Sequence, residues 1–501
     1  MENEEKMPKR NLIMYPLGTV GRDMVYQLFA NFILTFILFT KGLNAAQIAA
    51  VTGIMIAARV FDALNDPIMG FIIEKTKTKW GKFKPWLALG VFSTAIVVII
   101  IFNSKLTGWG FVVEFGIIYF LYSITYTMHD ISYWGMIPSL TSDANTRNKL
   151  TSTAILFAGI GGAILGLVVP MLTAGSNAIG GSTSAAYGIV SIVVCTLSVI
   201  FICFTIFGVK ENPKQIEAEN KERTTLKKVV KTIVNNKPLL WVVIAFLIQQ
   251  IGNGLVAGGL GSTYIYFRYG YEGGNYSLFS TIGLAATAIL MVTYPMISKK
   301  IHRKSLMHIM VIIAAVGTAL MLVAGLIIKN DTLSFWVLTI GYMLSNFGLY
   351  SFYLIMMISI LNTVEYNEYH FGNRNEAVIA SVRPFITKLA SALIIGVTSI
   401  TYLMFNVTSY TNKISQIEQD AQIAINNNPA LTEQITADKI AKIDNVIQNI
   451  DNAQKIGLLL AMTLIPFILM LISHFIYQKK YSLDEEEYDR ICKELKERNT
   501  I

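Results

Sequence analysis

Long apolar stretches alternate with short polar segments along the whole chain. A helix of about 20 apolar residues spans the roughly 30 Å hydrocarbon core of a bilayer. Twelve stretches reach this length, and none shows the strict alternation of a membrane β-strand, so the spans are predicted to be helical. The predicted spans cover 12–40, 46–73, 85–104, 108–137, 150–173, 185–209, 238–267, 275–298, 305–328, 333–361, 377–405 and 456–477.

The composition supports this interpretation. Of 501 residues, 53% are hydrophobic and 15% are charged, whereas soluble domains are about 25% charged. A chain this apolar is neither a soluble enzyme nor a disordered protein. Three cysteines in 501 residues also argue against a disulfide scaffold. The sequence therefore predicts an all-α polytopic membrane protein.

The distribution of positive charge predicts the orientation. With the N-terminus inside, inner segments carry 29 of the 41 Lys and Arg residues. Inner loops of membrane proteins are enriched in these residues. We therefore expect the protein in the inner or plasma membrane of the cell, with both termini in the cytoplasm. The net charge of +9 reflects this topology rather than nucleic-acid binding.

The order of spans predicts two halves. A polar segment, 210–237, separates six spans from six, and its second part has the pattern of a basic amphipathic helix. The second span ends in DPIMGFIIEKTKTKWGKFKP and the eighth in YPMISKKIHRKS, a weak repeat typical of secondary transporters. We expect an N-terminal bundle (1–209), the linker (210–237), a C-terminal bundle (238–477) that includes an outer loop of two short helices (406–455), and a cytoplasmic C-terminal helix (478–501).

Carboxylates inside the second span predict a cation site. Asp62 and Asp66 are separated by four residues and share a helix face with Asn65. Two carboxylates so close in a low dielectric need a shared proton or a bound cation. Oxygen ligands suit Na⁺. The amide oxygen of Asn65 can coordinate Na⁺ but does not help to bind a proton, so its presence favours Na⁺ as the coupling ion. The alternative is a structural ion pair between Arg59 and Asp62.

A second polar group predicts contacts with a sugar. Asp23 in span one and Asp130 in span four can accept hydrogen bonds from hydroxyl groups, and Trp134 could cover an apolar sugar face. Trp134 could instead belong to the interfacial aromatic belt. His129 could carry a proton, but we expect it to be a hydrogen-bonded structural residue.

Two cations in span eleven allow two interpretations. Arg383 and Lys388 could simply neutralise the acids of the other half, or one of them could bind substrate. The sequence carries no nucleotide-binding motif and no nucleophile–base set, so an ATP-driven pump and an enzyme are not expected.

Several segments together resemble the glycoside–pentoside–hexuronide:cation symporters, the melibiose-carrier group within the major facilitator fold. The resemblance runs from about Tyr15 to Phe405 and resumes in the last span. It is carried in order by GRDMVYQLFANF, by ARVFDALNDPIMGFIIEKTKTKWGKFKPW, by YTMHDISYWGMIPSLTSD, by VEYNEYHFGNRNEA and by the Lys388 segment.

The resemblance implies a role for each matching residue. The implied cation site comprises Asp62, Asn65, Asp66, Thr127 and the adjoining Asp130. The implied sugar site comprises Arg22, Asp23, Tyr126, Asp130, Trp134, Tyr353, Arg383 and Lys388. The implied gate and structural residues are Arg59, Glu365, Arg374 and Glu376.

The sequence departs from the melibiose carriers at three positions. Ile155 stands where those carriers have a sugar-site arginine, Arg383 stands where they have a glutamine, and the first span ends in Thr40-Lys41 rather than Thr-Asp. These differences predict a substrate other than melibiose.

We therefore expect a monomeric symporter that couples a glycoside, pentoside or hexuronide to Na⁺ or H⁺ by alternating access of twelve helices in two bundles. It should need no cofactor beyond the coupling cation and no nucleic-acid partner. Two alternatives stay open: a cation-coupled carrier of another cargo such as a lysolipid, and a transport-inactive membrane sensor.

Overall fold

The computed structural model describes residues 7–141, 143–211, 226–298, 300–373 and 375–498. Most of the predicted linker, 212–225, therefore lies outside the described residues. The regular structure of the described residues is helical, and their β-type pairing is confined to an isolated bridge between Thr78 and Gly81.

The helices follow the predicted spans closely. Those of the first half are α1 (Asn11–Thr40), α2 (Ala45–Lys75), α3 (Lys84–Phe102), α4 (Gly108–Gly135), α5 (Ile137–Leu140), α6 (Ala144–Thr173) and α7 (Thr183–Gly208). The later helices are α8 (Leu226–Asn235), α9 (Lys237–Gly254), α10 (Gly261–Tyr269), α11 (Gly273–Ile297), α12 (Arg303–Leu326), α13 (Asp331–Phe371), α14 (Glu376–Met404), α15 (Val407–Asn427), α16 (Thr432–Gln448), α17 (Asn452–Lys480) and α18 (Glu485–Arg498).

Twelve helical stretches within the described ranges are long and apolar enough to cross a membrane, and each overlaps one predicted span. The fold prediction is thus confirmed. Two spans differ in detail. The seventh is interrupted between α9 and α10 by a π-helical turn in which Gly259 adopts φ 127°. The tenth continues well past its predicted end at 361 and stops at Phe371, before Gly372 in the left-handed conformation.

Two compact units make up the chain. Unit 1 comprises Met1–Glu222, Ile265–Ser277 and Asn406–Ile450, and unit 2 comprises Arg223–Tyr264, Leu278–Phe405 and Asp451–Ile501. The predicted outer loop does form two helices, α15 and α16. It was predicted as part of the C-terminal bundle, but the structure groups 406–450 with unit 1, because α15 bonds to the end of α1 and the start of α7.

Close helix packing in unit 1 positions the polar residues of α1. A Cβ atom on Gly21 would lie 2.6 Å from the Cα atom of Ser198 on α7, so only glycine permits this approach. On another side of α1, the rings of Tyr15 and Tyr133 stack at 4.4 Å. Each tyrosine hydroxyl donates to the other residue's backbone carbonyl, which ties α1 to α4.

The core of unit 2 is built by α9, α12, α13, α14 and α17 around buried residues such as Val242, Phe352 and Ile379. Gln249 crosses from α9 to α13, where it donates to the Leu349 carbonyl at 2.8 Å. The C-terminal helix α18 packs through Ile491 and Leu495 on the same core. The predicted cytoplasmic C-terminal helix is therefore a docked part of unit 2.

Candidate functional site

The Tyr15–Tyr133 pair places Arg22 of α1 beside Asp130 of α4. Arg22 is 8% exposed, donates through Nη1 to Asp130 and through Nη2 to Asp23 at 2.6 Å. One guanidinium thus bridges two carboxylates, each partly exposed: the Asp23 and Asp130 side chains are 17% and 36% accessible. The two acids predicted to bind sugar lie together, and a carboxylate has lone pairs enough to accept further hydrogen bonds beside those from Arg22.

Aromatic rings surround this bridge. The ring of Trp134 lies 5.0 Å from the guanidinium carbon of Arg22, within cation–π range. Tyr126 stacks on Tyr122 at 5.5 Å and contacts Tyr26 of α1 at 5.5 Å. Trp134 therefore belongs to the polar cluster and not simply to a lipid-facing belt.

His129 does not match its prediction. Its side chain is 1% exposed, and neither ring nitrogen has a hydrogen-bond partner among the described residues. We expected a hydrogen-bonded histidine, but the nearest described contact of its ring is an edge-on aromatic one with Tyr126, with centroids 5.9 Å apart.

The second polar cluster joins α2 to α4. Asp62 is 7% exposed and lies 3.6 Å from Nη1 of Arg59, so the ion pair weighed as an alternative to a cation site does form. Ser123 of α4 also donates to Asp62. Nε of Arg59 has no hydrogen-bond partner in the described part of the chain, so the guanidinium is incompletely bonded.

Asn65 and Asp66 lie one helical turn beyond Asp62 on α2. Thr127 donates to Asp66 at 3.3 Å, and Asn65 is 8% exposed with an amide nitrogen that finds no partner within the described ranges. The cluster therefore collects two carboxylates, an amide and two hydroxyls, a donor set that suits a hard monovalent cation. No group of three or more His, Cys, Asp or Glu side chains in the described residues has metal-site geometry, so the cluster does not resemble a transition-metal site.

The predicted residues of unit 2 form a smaller group. Arg383 is exposed and donates from Nη1 to the hydroxyl of Tyr353 at 3.1 Å. Tyr350 lies beside Tyr353 with ring centroids 5.2 Å apart. Lys388 is half-buried further along α14. The Arg383–Tyr353 hydrogen bond joins α14 to α13 at two predicted substrate residues.

The predicted gate residues are only partly described. Glu365 is half-buried near the end of α13, where its charge helps raise the pKa of Tyr488 on α18, after the larger effects of burial and of a hydrogen bond with Cys492. Arg374 lies outside the described residues, and Glu376 begins α14 with a side chain that the structure does not describe. Ile155, which stands where the melibiose carriers have a sugar-site arginine, is 55% exposed.

Sequence reasoning missed Ser123, Tyr26 and Tyr350. Ser123 lies four residues before Thr127 and Tyr26 four residues after Arg22, so each shares a helix face with a predicted site residue. That spacing could have found both. Tyr350 lies three residues before Tyr353, but this spacing alone does not separate a site residue from a core aromatic.

Comparison with known proteins identifies the family of this chain. The family model described as "MFS/sugar transport protein" matches residues 14–432. The lactose permease of Lactobacillus helveticus is 29% identical over 78% of this chain, which spans 62% of that permease. The raffinose carrier protein of Pediococcus pentosaceus is 26% identical over 96% of this chain and 71% of its own length.

Solved structures support the fold. A crystal structure of a D-xylose-proton symporter matches with a TM-score of 0.55 at 13% identity, over 89% of this chain and 98% of that protein. At this identity the match concerns the fold alone. The chain belongs to the MFS/sugar transport protein family, as its resemblance to the glycoside–pentoside–hexuronide:cation symporters predicted.

Proposed function

We propose that this protein is a cation-coupled sugar symporter that works by alternating access. The family match, the names of the relatives and the two polar clusters of unit 1 support the proposal. It acts as a monomeric multi-pass protein of the cell membrane with both termini in the cytoplasm. Its partners are a small sugar and Na⁺ or H⁺, and it performs transport rather than enzyme chemistry.

The observation that carries the proposal is the position of two residues on α4. Thr127 donates to Asp66 in the cation cluster, and Asp130, three residues later, accepts from Arg22 in the sugar cluster. Residues three apart on a helix are neighbours on one face. A small shift or rotation of α4 therefore acts on both clusters at once, which is the physical requirement for coupled binding.

In the cation cluster, the entering ion competes with Arg59 for Asp62. The carboxylates of Asp62 and Asp66 supply the negative charge, and Asn65 and Thr127 supply neutral oxygens. The amide of Asn65 favours Na⁺, since a proton would bind to one carboxylate and gain nothing from the amide. When the ion neutralises the carboxylates, the cost of keeping charge inside the membrane falls.

In the sugar cluster, Asp23 and Asp130 accept hydrogen bonds from sugar hydroxyls. Arg22 bonds both acids and holds them in place, Trp134 packs against an apolar sugar face, and Tyr126 lines the cluster. The resemblance assigns Tyr353, Arg383 and Lys388 to the same task, and a sugar hydroxyl can replace the hydrogen bond between Arg383 and Tyr353.

Uptake into proteoliposomes tests the proposal. Purified protein is given labelled lactose, raffinose, a pentoside and a hexuronide, each with an inward sodium gradient, with an inward proton gradient and with neither. We expect sodium-stimulated uptake of one class of sugar, and loss of that stimulation in Asp62→Asn. Protein-free liposomes serve as the control.

One outcome would correct the ion, and two would contradict the proposal. Stimulation by protons alone would overturn the assignment of Na⁺. Sodium-driven movement of a labelled lysolipid but of no sugar would overturn the cargo. A folded, inserted protein that moves nothing would favour the sensor alternative.

A further inference from the structure

Two segments of the second half of the sequence belong structurally to unit 1. The first is Ile265–Ser277, which comprises the end of α10, the start of α11 and the residues that connect them. The second is the helical hairpin α15–α16, which lies within Asn406–Ile450. The chain enters the hairpin at 405–406 and leaves it at 450–451, and both neighbouring helices, α14 and α17, belong to unit 2. The hairpin is therefore covalently joined to one unit and packed in the other.

A buried ion pair within the hairpin is hydrogen-bonded to the start of α7 and the residues before it. The side chains of Glu418 on α15 and Lys439 on α16 are 1% and 0% exposed and lie 3.3 Å apart. Glu418 also accepts from the backbone N–H of Thr183 at 2.9 Å and from its hydroxyl at 3.1 Å, at the first residue of α7. Lys439 donates to the carbonyl of Gly181 at 2.9 Å. Both charges are thus bonded to each other and to unit 1.

Hydrogen bonds along α15 extend this attachment. Gln419 donates to the carbonyl of Thr40 at 2.7 Å, and Asn412 donates to that of Leu43 at 2.9 Å, so α15 also covers the end of α1. Ser182 donates to Gln422. Gly181 has φ 81°, and a Cβ atom there would lie 2.5 Å from Ile425, so only glycine allows the hairpin this close.

Thr183 joins both segments to the same point. Its hydroxyl, which bonds Glu418, also lies 2.8 Å from the hydroxyl of Tyr271 in the α10–α11 connection. The hydroxyl of Ser277 donates to the Leu167 carbonyl on α6 at 2.7 Å. The first residue of α7 is therefore the common anchor of two chain segments that lead into unit 2.

The connections of the hairpin are short. Two residues, Phe405 and Asn406, separate α14 from α15, and three, Asn449 to Asp451, separate α16 from α17. Asn406 adopts φ 50°, a left-handed conformation that asparagine accepts more readily than most residues. Both connections are too short to extend far.

We propose that the hairpin is a tether: it stays fixed on unit 1 throughout the transport cycle and limits how far the attached ends of α14 and α17 can move from it. Undocking in every cycle would break the hydrogen bonds of Glu418 to Thr183 and of Lys439 to Gly181. It would also expose buried apolar side chains of the hairpin to water, which is costly. Movement is instead confined to the short connections at 405–406 and 449–451.

Hydrogen exchange tests the anchor without any substrate. Glu418→Gln leaves Lys439 buried without its counter-charge, so amides of α15 and α16 should exchange about 100-fold faster. The matched control is Asp438→Asn, which breaks the ion pair of Asp438 with Lys442 on the same hairpin, where both side chains are 61% exposed. If the amides of α15 and α16 exchange equally fast in the two variants, the Glu418–Lys439 pair does not anchor the hairpin.

Cross-linking tests whether the anchor stays closed. Ser182→Cys and Gln422→Cys, in a background without Cys195, Cys203 and Cys492, are joined by a short thiol cross-linker. Because the hairpin stays docked, uptake of the sugar that the wild-type protein transports best should be unchanged. Loss of uptake that returns when the cross-link is cleaved would show that the hairpin opens, and would overturn the tether.

Chain insertion tests the limit on movement. Four glycines between Phe405 and Asn406 should lower the maximal uptake rate several-fold while the exchange of α15 and α16 stays slow. The same insertion between Asn428 and Pro429, at the tip of the hairpin, is the control and should leave uptake unchanged. Equal rates for both insertions would contradict the tether.

The uptake measurements rest on the proposed function, whereas hydrogen exchange does not. A wild-type protein that takes up no sugar would refute symport, and the anchor would then be judged by exchange alone.

Discussion

Arg22 on α1 donates a hydrogen bond to Asp130 on α4, 108 residues later in the chain. The same guanidinium also holds Asp23, so two acids of the sugar cluster share one positive charge. The cluster therefore offers carboxylate oxygens as hydrogen-bond acceptors. This favours ligands that donate hydrogen bonds, as sugar hydroxyls do.

We predict that Asp130→Asn weakens both sugar and cation binding, whereas Asp23→Asn weakens sugar binding alone. Asp130 lies on the same face of α4 as Thr127, while Asp23 has no such link. A hydrogen bond to a charged group contributes about 1.5–3 kcal/mol, so each sugar affinity should fall about 10- to 100-fold. Isothermal titration calorimetry on detergent-solubilised protein measures both ligands. Equal loss of sodium affinity in the two variants would contradict the division of roles.

Ser123→Ala should lower the affinity for the coupling cation about 10- to 100-fold. Its hydroxyl donates to the Asp62 carboxylate, and a hydrogen bond to a charged group contributes about 1.5–3 kcal/mol. Sugar affinity measured at saturating sodium should not change. Thr125→Val is the control, since the hydroxyl of Thr125 bonds the backbone of its own helix at Tyr122. The sodium concentration that gives half-maximal uptake is the quantity to compare.

Span positions could be predicted from sequence because the membrane imposes a minimum apolar length. The grouping of Asp62, Asn65 and Asp66 could also be predicted, since helix geometry fixes it once the span is helical. The choice between an ion pair and a cation site could not be predicted from the sequence. It depends on where the long side chain of Arg59 points, and both arrangements satisfy the same spacing.

The position of the α15–α16 hairpin was also beyond sequence reasoning. Its pattern shows two amphipathic helices, which predicts that each buries one face but not what covers it. The signal was the charge of Glu418 and Lys439 on the same helix faces as the apolar residues. In the sequence, each residue alone is typical of a charged side chain exposed to water, and only the fold brings the two together.

We predict that Lys41→Met stabilises the protein at neutral pH. Lys41 is 4% exposed at the end of α1, and burial lowers its pKa to about 8, although the charge of Glu114 opposes this effect. Below pH 8 the lysine is charged in both the folded and the unfolded state, so the folded protein bears the full cost of burying the charge. That cost is on the order of 3 kcal/mol at most.

The advantage of Lys41→Met should shrink as the pH rises from about 8 toward the unfolded pKa, because the folded protein then releases the proton first and the wild type gains stability. Melting temperatures in detergent at several pH values between 7 and 10 measure this difference. Lys105→Met, at a nearby exposed position, is the control. A constant difference between Lys41→Met and wild type across this range would show that packing, not charge, is responsible.

Glu485→Gln should release the C-terminal helix α18 from unit 2. Glu485 accepts from the backbone N–H of Arg303 at 2.7 Å and from its Nε at 2.8 Å. Burial opposes ionisation, but these hydrogen bonds and the charge of Arg303 outweigh it and lower the pKa of Glu485. The ionised carboxylate therefore stabilises the docked helix above the pKa of an unfolded glutamate, and this contribution is lost as the pH falls through the lowered value.

Limited proteolysis of α18 measures the release, and cleavage of Glu485→Gln should be faster than cleavage of the wild type at pH 7. Glu486→Gln is the matched control, since the neighbouring Glu486 is exposed. Release is expected to be partial, because Ile491 and Leu495 still pack on the core of unit 2 and Tyr369 still donates to Glu494 at 2.7 Å. If Glu485→Gln and Glu486→Gln are cleaved equally fast, the apolar face and Tyr369 hold the helix, and the Arg303–Glu485 contact contributes nothing to its docking.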